Sequence, residues 1–154
     1  MTSYLVRHGT AAPGSADRAR RLTPEGRAEI EATARALVDR GVQVAEIRHS
    51  GLVRARESAE ILGHVLAPAR GIRPATGLAP EDNPDVAGAE LELALEPLML
   101  VGHLPHLARL AAAMVGESEM ERIHFAPGTA VGLRRSSEGW RLDLIVPATG
   151  GGPS

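Results

Sequence analysis

Leu98-Met99-Leu100-Val101 is apolar at four consecutive positions and breaks off at Gly102-His103. The run is short for a helix and has no polar alternation, so neither of its faces is suited to water. A segment of this kind needs cover on both sides, as a central strand of a parallel sheet has. Two further runs end in the same way. Tyr4-Leu5-Val6 stops at Arg7-His8-Gly9, and Val44 to His49 stops at Ser50-Gly51.

Helical segments follow these runs. Thr23-Pro24 reads as an N-cap followed by proline at the first helical position. Ile30, Ala34, Leu37 and Val38 then share one helical face, and Gly41 ends the segment. Ala55, Ala59, Leu62 and Leu66 form the stripe of a second helix that stops near Pro68. Residues 68–84 hold six prolines and glycines, which predicts loop with at most a short strand near Ile72. Asn83-Pro84 repeats the start signal for a third helix, ended by Pro97, and Pro105 opens a fourth, stopped by Gly116. The last third changes period. Thr129 to Arg135 and Trp140 to Val146 read as an antiparallel hairpin, with Trp140, Leu142, Leu144 and Val146 alternating with polar residues. The expectation is a single α/β domain over 1–147, with a mostly parallel sheet, helices on both faces and a C-terminal antiparallel hairpin. The Gly-rich residues 148–154 are expected to be a disordered tail.

Ligands of open α/β sheets bind outside the carboxyl ends of the strands. Three strand ends here deliver Arg7-His8-Gly9, Ser50 with Arg54 just beyond, and Gly102-His103. Two histidines and two arginines thus converge on one edge, near helix N-termini that carry partial positive charge. Arginine forks match phosphoryl oxygens, and a neutral histidine is a nucleophile available near pH 7. Composition removes the competing routes. The chain has no cysteine, and all 17 of its basic residues are arginine. Thiolate nucleophiles, lysine-bearing phosphate loops and Schiff bases are therefore excluded. Asp17, Asp39, Asp82, Asp85 and Asp143 never fall two apart, so no Asp-x-Asp nucleophile pair exists. A phosphotransfer reaction on this scaffold would proceed through phosphohistidine.

Leu5-Val6-Arg7-His8-Gly9-Thr10 resembles the signature of the histidine phosphatase superfamily, the phosphoglycerate mutase-like fold. Ser50-Gly51-Leu52-Val53-Arg54-Ala55-Arg56-Glu57-Ser58-Ala59 is similar to its second motif, and Leu100-Val101-Gly102-His103 to its third. Within that family the short SixA-type phosphohistidine phosphatases are most similar, through the length, Leu22-Thr23-x-x-Gly26 and His103-Leu104-Pro105. The resemblance implies that His8 is the phosphorylated nucleophile, that Arg7 and Arg54 bind the phosphoryl oxygens, and that His103 completes the pocket. It places Arg20 as a further phosphate ligand. It also implies a general acid on the loop before the third helix, with Glu81 first and Asp82 close behind. An imidazole leaving group, whose conjugate acid has a pKa of about 6.5, depends on that acid less than an alkoxide does.

The expected activity is therefore metal-independent, cofactor-free phosphatase action on phosphohistidine in a protein. A chain of 154 residues leaves little for a lid, and a shallow site suits a macromolecular substrate. Two alternatives stand beside this reading: a phosphatase for a small phosphoester or nucleotide, and a non-catalytic phosphate- or phosphoprotein-binding module. Intact His8 and His103 speak against the last, since binding alone would require only the arginines. Arg56 reads as solvated surface and Ser50 as a strand terminator. His49, His64, His106 and His124 read as surface or supporting residues. A net charge of −2 and 2% aromatic residues argue against a nucleic-acid partner. With no leader-like N-terminus and no run of ~20 apolar residues, a monomeric cytoplasmic protein without a membrane partner is expected.

Overall fold

Alternation along two neighbouring strands decides which helices lie on which face of the sheet. In the computed structural model, which describes residues 1–14 and 16–148, β1 (Thr2–Arg7) and β4 (Leu98–Gly102) pair in parallel with Leu5 opposite Leu100. Tyr4, Val6, Met99 and Val101 point to one side. There they meet Ile30, Ala34 and Leu37 of α1 (Pro24–Asp39) and Ala55, Ala59 and Leu62 of α2 (Val53–Leu66). Leu5, Leu98 and Leu100 point to the other. They meet Ala87 and Leu91 of α3 (Pro84–Leu93) and Leu107, Leu110 and Ala111 of α4 (His106–Val115). All four positions of the 98–101 run are buried, as a strand covered on both faces requires.

β2 (Glu46–His49) and β3 (Ile72–Pro74) extend the parallel sheet beyond β4, while β5 (Ala130–Ser136) and β6 (Gly139–Val146) add an antiparallel hairpin beyond β1. The order is β3-β2-β4-β1-β5-β6. The chain leaves β1 toward β2 and β3, and leaves β4 in the opposite direction toward β5. The carboxyl ends of the adjacent strands β1 and β4 therefore flank the topological switch point, where α/β sheets open a crevice.

The start signals act as read. Thr23 Oγ1 accepts from the Gly26 amide at 2.9 Å, with Pro24 in the first turn of α1. Asn83 Oδ1 accepts from the Asp85 amide at 2.9 Å ahead of α3. Between β1 and α1 the chain makes a 3₁₀ turn at Asp17–Ala19 and a bridge pairing Ala11 with Leu22. Gly116 ends α4 at φ +92° and leads into one further turn, α5 (Glu117–Met120). Apart from Ala148, the residues expected to form a disordered tail lie outside the described residues. Among the described residues no helix is long and apolar enough to cross a membrane.

Candidate active site

His8 follows β1 directly, and its amide donates to the Gly102 carbonyl of β4 at 3.1 Å. This bond ties together the two strand ends that deliver the histidines. The His8 and His103 rings lie with centroids 4.9 Å apart and planes at 50°. Both side chains are buried. His8 Nδ1 is 2.6 Å from the Gly9 carbonyl oxygen. A carbonyl only accepts, so Nδ1 carries the proton and the lone pair of the neutral ring resides on Nε2.

Burial pushes the pKa of His8 down to about 4; the Gly9 hydrogen bond opposes the shift, and the charges of Arg54, Arg7 and Arg20 add to it. Burial likewise takes His103 down to about 3, with His8 and Arg54 adding to the fall. Both imidazoles are neutral at pH 7, and the positive charge of the site resides on the arginines.

Each arginine is held from a different element. Arg54, in the first turn of α2, is only 5% exposed and donates Nη1 to the Asp17 carbonyl at 2.9 Å. Arg7 donates Nη1 to the Phe125 carbonyl at 2.8 Å, leaving its buried Nε without a partner among the described residues. Arg20 donates Nε to the Ala12 carbonyl at 3.0 Å. These guanidiniums converge closely enough for all three charges to act on His8.

The two candidate acids lie differently. Glu81 is a surface residue, its carboxylate 3.6 Å from Arg109. Asp82 accepts from the Ala79 amide at 2.9 Å, a turn-forming bond, and borders an open groove of about 770 Å³ with Arg18, Ser50, Thr76 and Val86. Among the described residues neither carboxylate is hydrogen bonded to His8 or His103.

Several supporting residues were not singled out by the sequence reading. Ser58 Oγ donates to the Arg54 carbonyl at 2.7 Å and accepts from the Gly9 amide at 3.1 Å, fixing the start of α2 against the loop after β1. That loop also lies hard on α1: a Cβ on Gly9 would stand 2.5 Å from the Gly26 carbonyl oxygen. Ser50 does more than end β2, because its Oγ lies 2.6 Å from His103 Nε2. His106 is fully buried, and His49 Nδ1 accepts from the Gly51 amide at 3.1 Å. His64, His124 and Arg56 are exposed, as read.

The buried imidazoles set a pH dependence of stability. His8, His49, His103 and His106 all have pKa values held below 6.5, with burial the largest cause in each. Below pH 6.5 the unfolded chain takes up protons that the folded chain refuses, so stability falls as pH drops toward 4. His8 alone accounts for a loss on the order of 3 kcal/mol over that window. Urea unfolding at pH 7 and pH 4.5 is expected to show a clear drop in midpoint, smaller in His8→Asn. Equal midpoints would contradict the buried neutral state.

An α/β sheet with two neutral histidines at its switch point, ringed by arginines, defines a histidine-centred site suited to an anion. The sequence pattern of the Histidine phosphatase superfamily (branch 1) matches residues 3–78. An uncharacterised protein of Picosynechococcus sp. (strain ATCC 27264 / PCC 7002 / PR-6) is 33% identical over 143 residues, spanning 87% of this chain and 85% of the relative. The chain belongs to the histidine phosphatase superfamily. Its fold matches that of the protein histidine phosphatase SixA complexed with tungstate at a TM-score of 0.86, with 20% identity over 96% of this chain and 97% of the other. It also matches a protein assigned as an α-ribazole-5′-P phosphatase from Escherichia coli str. K-12 at 0.77, with 16% identity over 98% and 99%.

Proposed function

We propose that this chain is a metal-independent phosphatase that forms phosphohistidine on His8 and acts on phosphohistidine carried by a protein. The observation that carries the reading is the His8 tautomer. Nδ1–H is committed to the Gly9 carbonyl at 2.6 Å, so Nε2 holds the lone pair, in a ring kept neutral at pH 7. Nε2 attacks phosphorus as the bond from phosphorus to the substrate imidazole breaks. The far nitrogen of the substrate ring takes a proton from solvent, and the electron pair of the breaking bond leaves with that ring as neutral imidazole. Water then attacks the phosphoryl group on His8, inorganic phosphate departs, and His8 regains its lone pair. Arg7, Arg54 and Arg20 supply fixed positive charge to the phosphoryl oxygens, which carry the charge of the transition state. His103, neutral and joined to Ser50, offers a polar ring face beside the transferring group.

A protein substrate is favoured by the shape of the surroundings. The open groove bordered by Ser50, Thr76, Asp82 and Val86 has room for a bulky leaving group. The fold is equally compatible with small phosphoesters, whose alkoxide leaving groups need an acid; the exposed Glu81, paired with Arg109, supports that route weakly.

A substrate panel run with and without chelator tests the proposal. Hydrolysis of a phosphohistidine protein is expected to exceed that of p-nitrophenyl phosphate and sugar phosphates, and chelator is expected to change nothing. Glu81→Gln is expected to leave phosphohistidine turnover within about threefold of the parent, because a substrate imidazole protonated by solvent on its far nitrogen leaves as the neutral ring without an acid from the protein. A preference for phosphoesters together with a large loss in Glu81→Gln would overturn the assignment of substrate.

A further inference from the structure

The arginines of the site already hold an anion. Asp17, in the 3₁₀ turn after β1, places carboxylate Oδ2 3.4 Å from Arg54 Nη2 and Oδ1 3.3 Å from Arg20 Nη1. One carboxylate thus bridges two guanidiniums that belong to different segments. Its negative charge reaches the centre of the site, where it raises the proton affinity of His103 against the dominant effect of burial. The guanidiniums in turn hold the Asp17 carboxyl below the usual carboxylate range, led by the Arg20 hydrogen bond. The side chain is 62% exposed whereas that of Arg54 is 6% exposed, so the carboxylate reaches inward from solvent to a fixed cation.

A carboxylate and a phosphoryl group present the same chemistry to a guanidinium fork: two or more anionic oxygens in the plane of its N–H donors. They cannot both take the same Nη atoms, and side by side they repel. Resting on the reading of Arg54 as a phosphoryl ligand, we propose that Asp17 is a specificity-determining residue, an internal carboxylate that competes with the phosphoryl group for Arg54 and Arg20. An incoming phosphoryl group displaces the carboxylate into solvent, where an exposed side chain is readily hydrated. A substrate offsets that displacement through its contacts in the adjoining groove, and free inorganic phosphate has none to offer. Asp17 therefore weakens retention of the product that every substrate of this site would leave behind, and disfavours substrates too small to reach the groove.

The arginine does not depend on the carboxylate for its position. Arg54 Nη1 donates to the backbone carbonyl of Asp17 at 2.9 Å, and Ser58 fixes the Arg54 backbone; both bonds survive a change of the Asp17 side chain. Asp17→Asn keeps the size and removes the charge. Binding of inorganic phosphate, measured by calorimetry and as competitive inhibition of turnover, is expected to tighten about fivefold in Asp17→Asn, the scale of an exposed carboxylate–arginine pair. Asp17→Ala is expected to tighten it similarly. Unchanged or weaker phosphate binding in both variants would overturn the proposal, the weaker outcome marking Asp17 as a support for the arginines. Arg54→Ala separates this from the underlying reading. If phosphate binds Arg54→Ala as well as the parent, Arg54 is not a phosphoryl ligand, whatever Asp17 does.

Discussion

His8→Ala is expected to lower turnover by on the order of 10³-fold or more and to leave the fold intact. The loss follows from the absence, among the described residues, of a second nucleophile in reach. The chain has no cysteine and no lysine, and His103 sits with Nε2 against Ser50 and Nδ1 enclosed. The fold survives because the strand connection at this position is made by the backbone: the His8 amide holds the Gly102 carbonyl whatever the side chain. Removing a buried imidazole forfeits packing but also ends its desolvation, so the stability change stays within about 2 kcal/mol. Two measurements check this. One is turnover on a phosphohistidine protein. The other is mass spectrometry after exposure to a reactive phosphoryl donor, which should detect an acid-labile adduct on His8 in the parent and none in the variant. Persistent turnover, or an adduct on another residue of the parent, would remove His8 from the role.

The sheet and the histidine pair were legible because their signals are local. Four apolar residues in a row at 98–101 require cover on both faces, and the polar residues that follow each apolar run must fall at a strand end. The supports of the site were not legible, because their meaning lies in contacts distant in sequence. Ser58 is an ordinary helix residue until α2 packs beneath Gly9. Gly9 and Gly26 look like unrelated turn and helix glycines until α1 presses on the loop after β1. Asp17 lies in a segment without periodicity, and its role emerges only where Arg54 arrives from α2. Ser50 was rightly seen as a strand end, yet its hydrogen bond to His103 depends on β2 lying beside β4. The acid position is the opposite case. Glu81 stood out by motif alone, and tertiary structure sets its carboxylate by Arg109 at the surface.

Arg54→Ala is expected to lower kcat/KM by about 10³-fold, with Arg54→Lys recovering only part of the loss. The size follows from where the charge is held. The guanidinium is almost fully enclosed, tied at Nη1 to a backbone carbonyl, and set in the first turn of a helix whose start is fixed by Ser58. A cation fixed in advance stabilises developing phosphoryl charge without reorganising. Lysine restores a charge but offers a point donor on a flexible stem and loses the forked match to two oxygens. A second readout distinguishes an electrostatic role from a merely structural one. Arg54 depresses the pKa of both His8 and His103, so its removal favours their protonated forms and raises both values from about 4 and about 3. The nucleophile must be neutral, so the acid limb of residual kcat/KM should move to higher pH in Arg54→Ala and stay near its parental position in Arg54→Lys. The same thousandfold loss with an unmoved acid limb in the residual activity would mean that Arg54 holds the site together without acting on its charges.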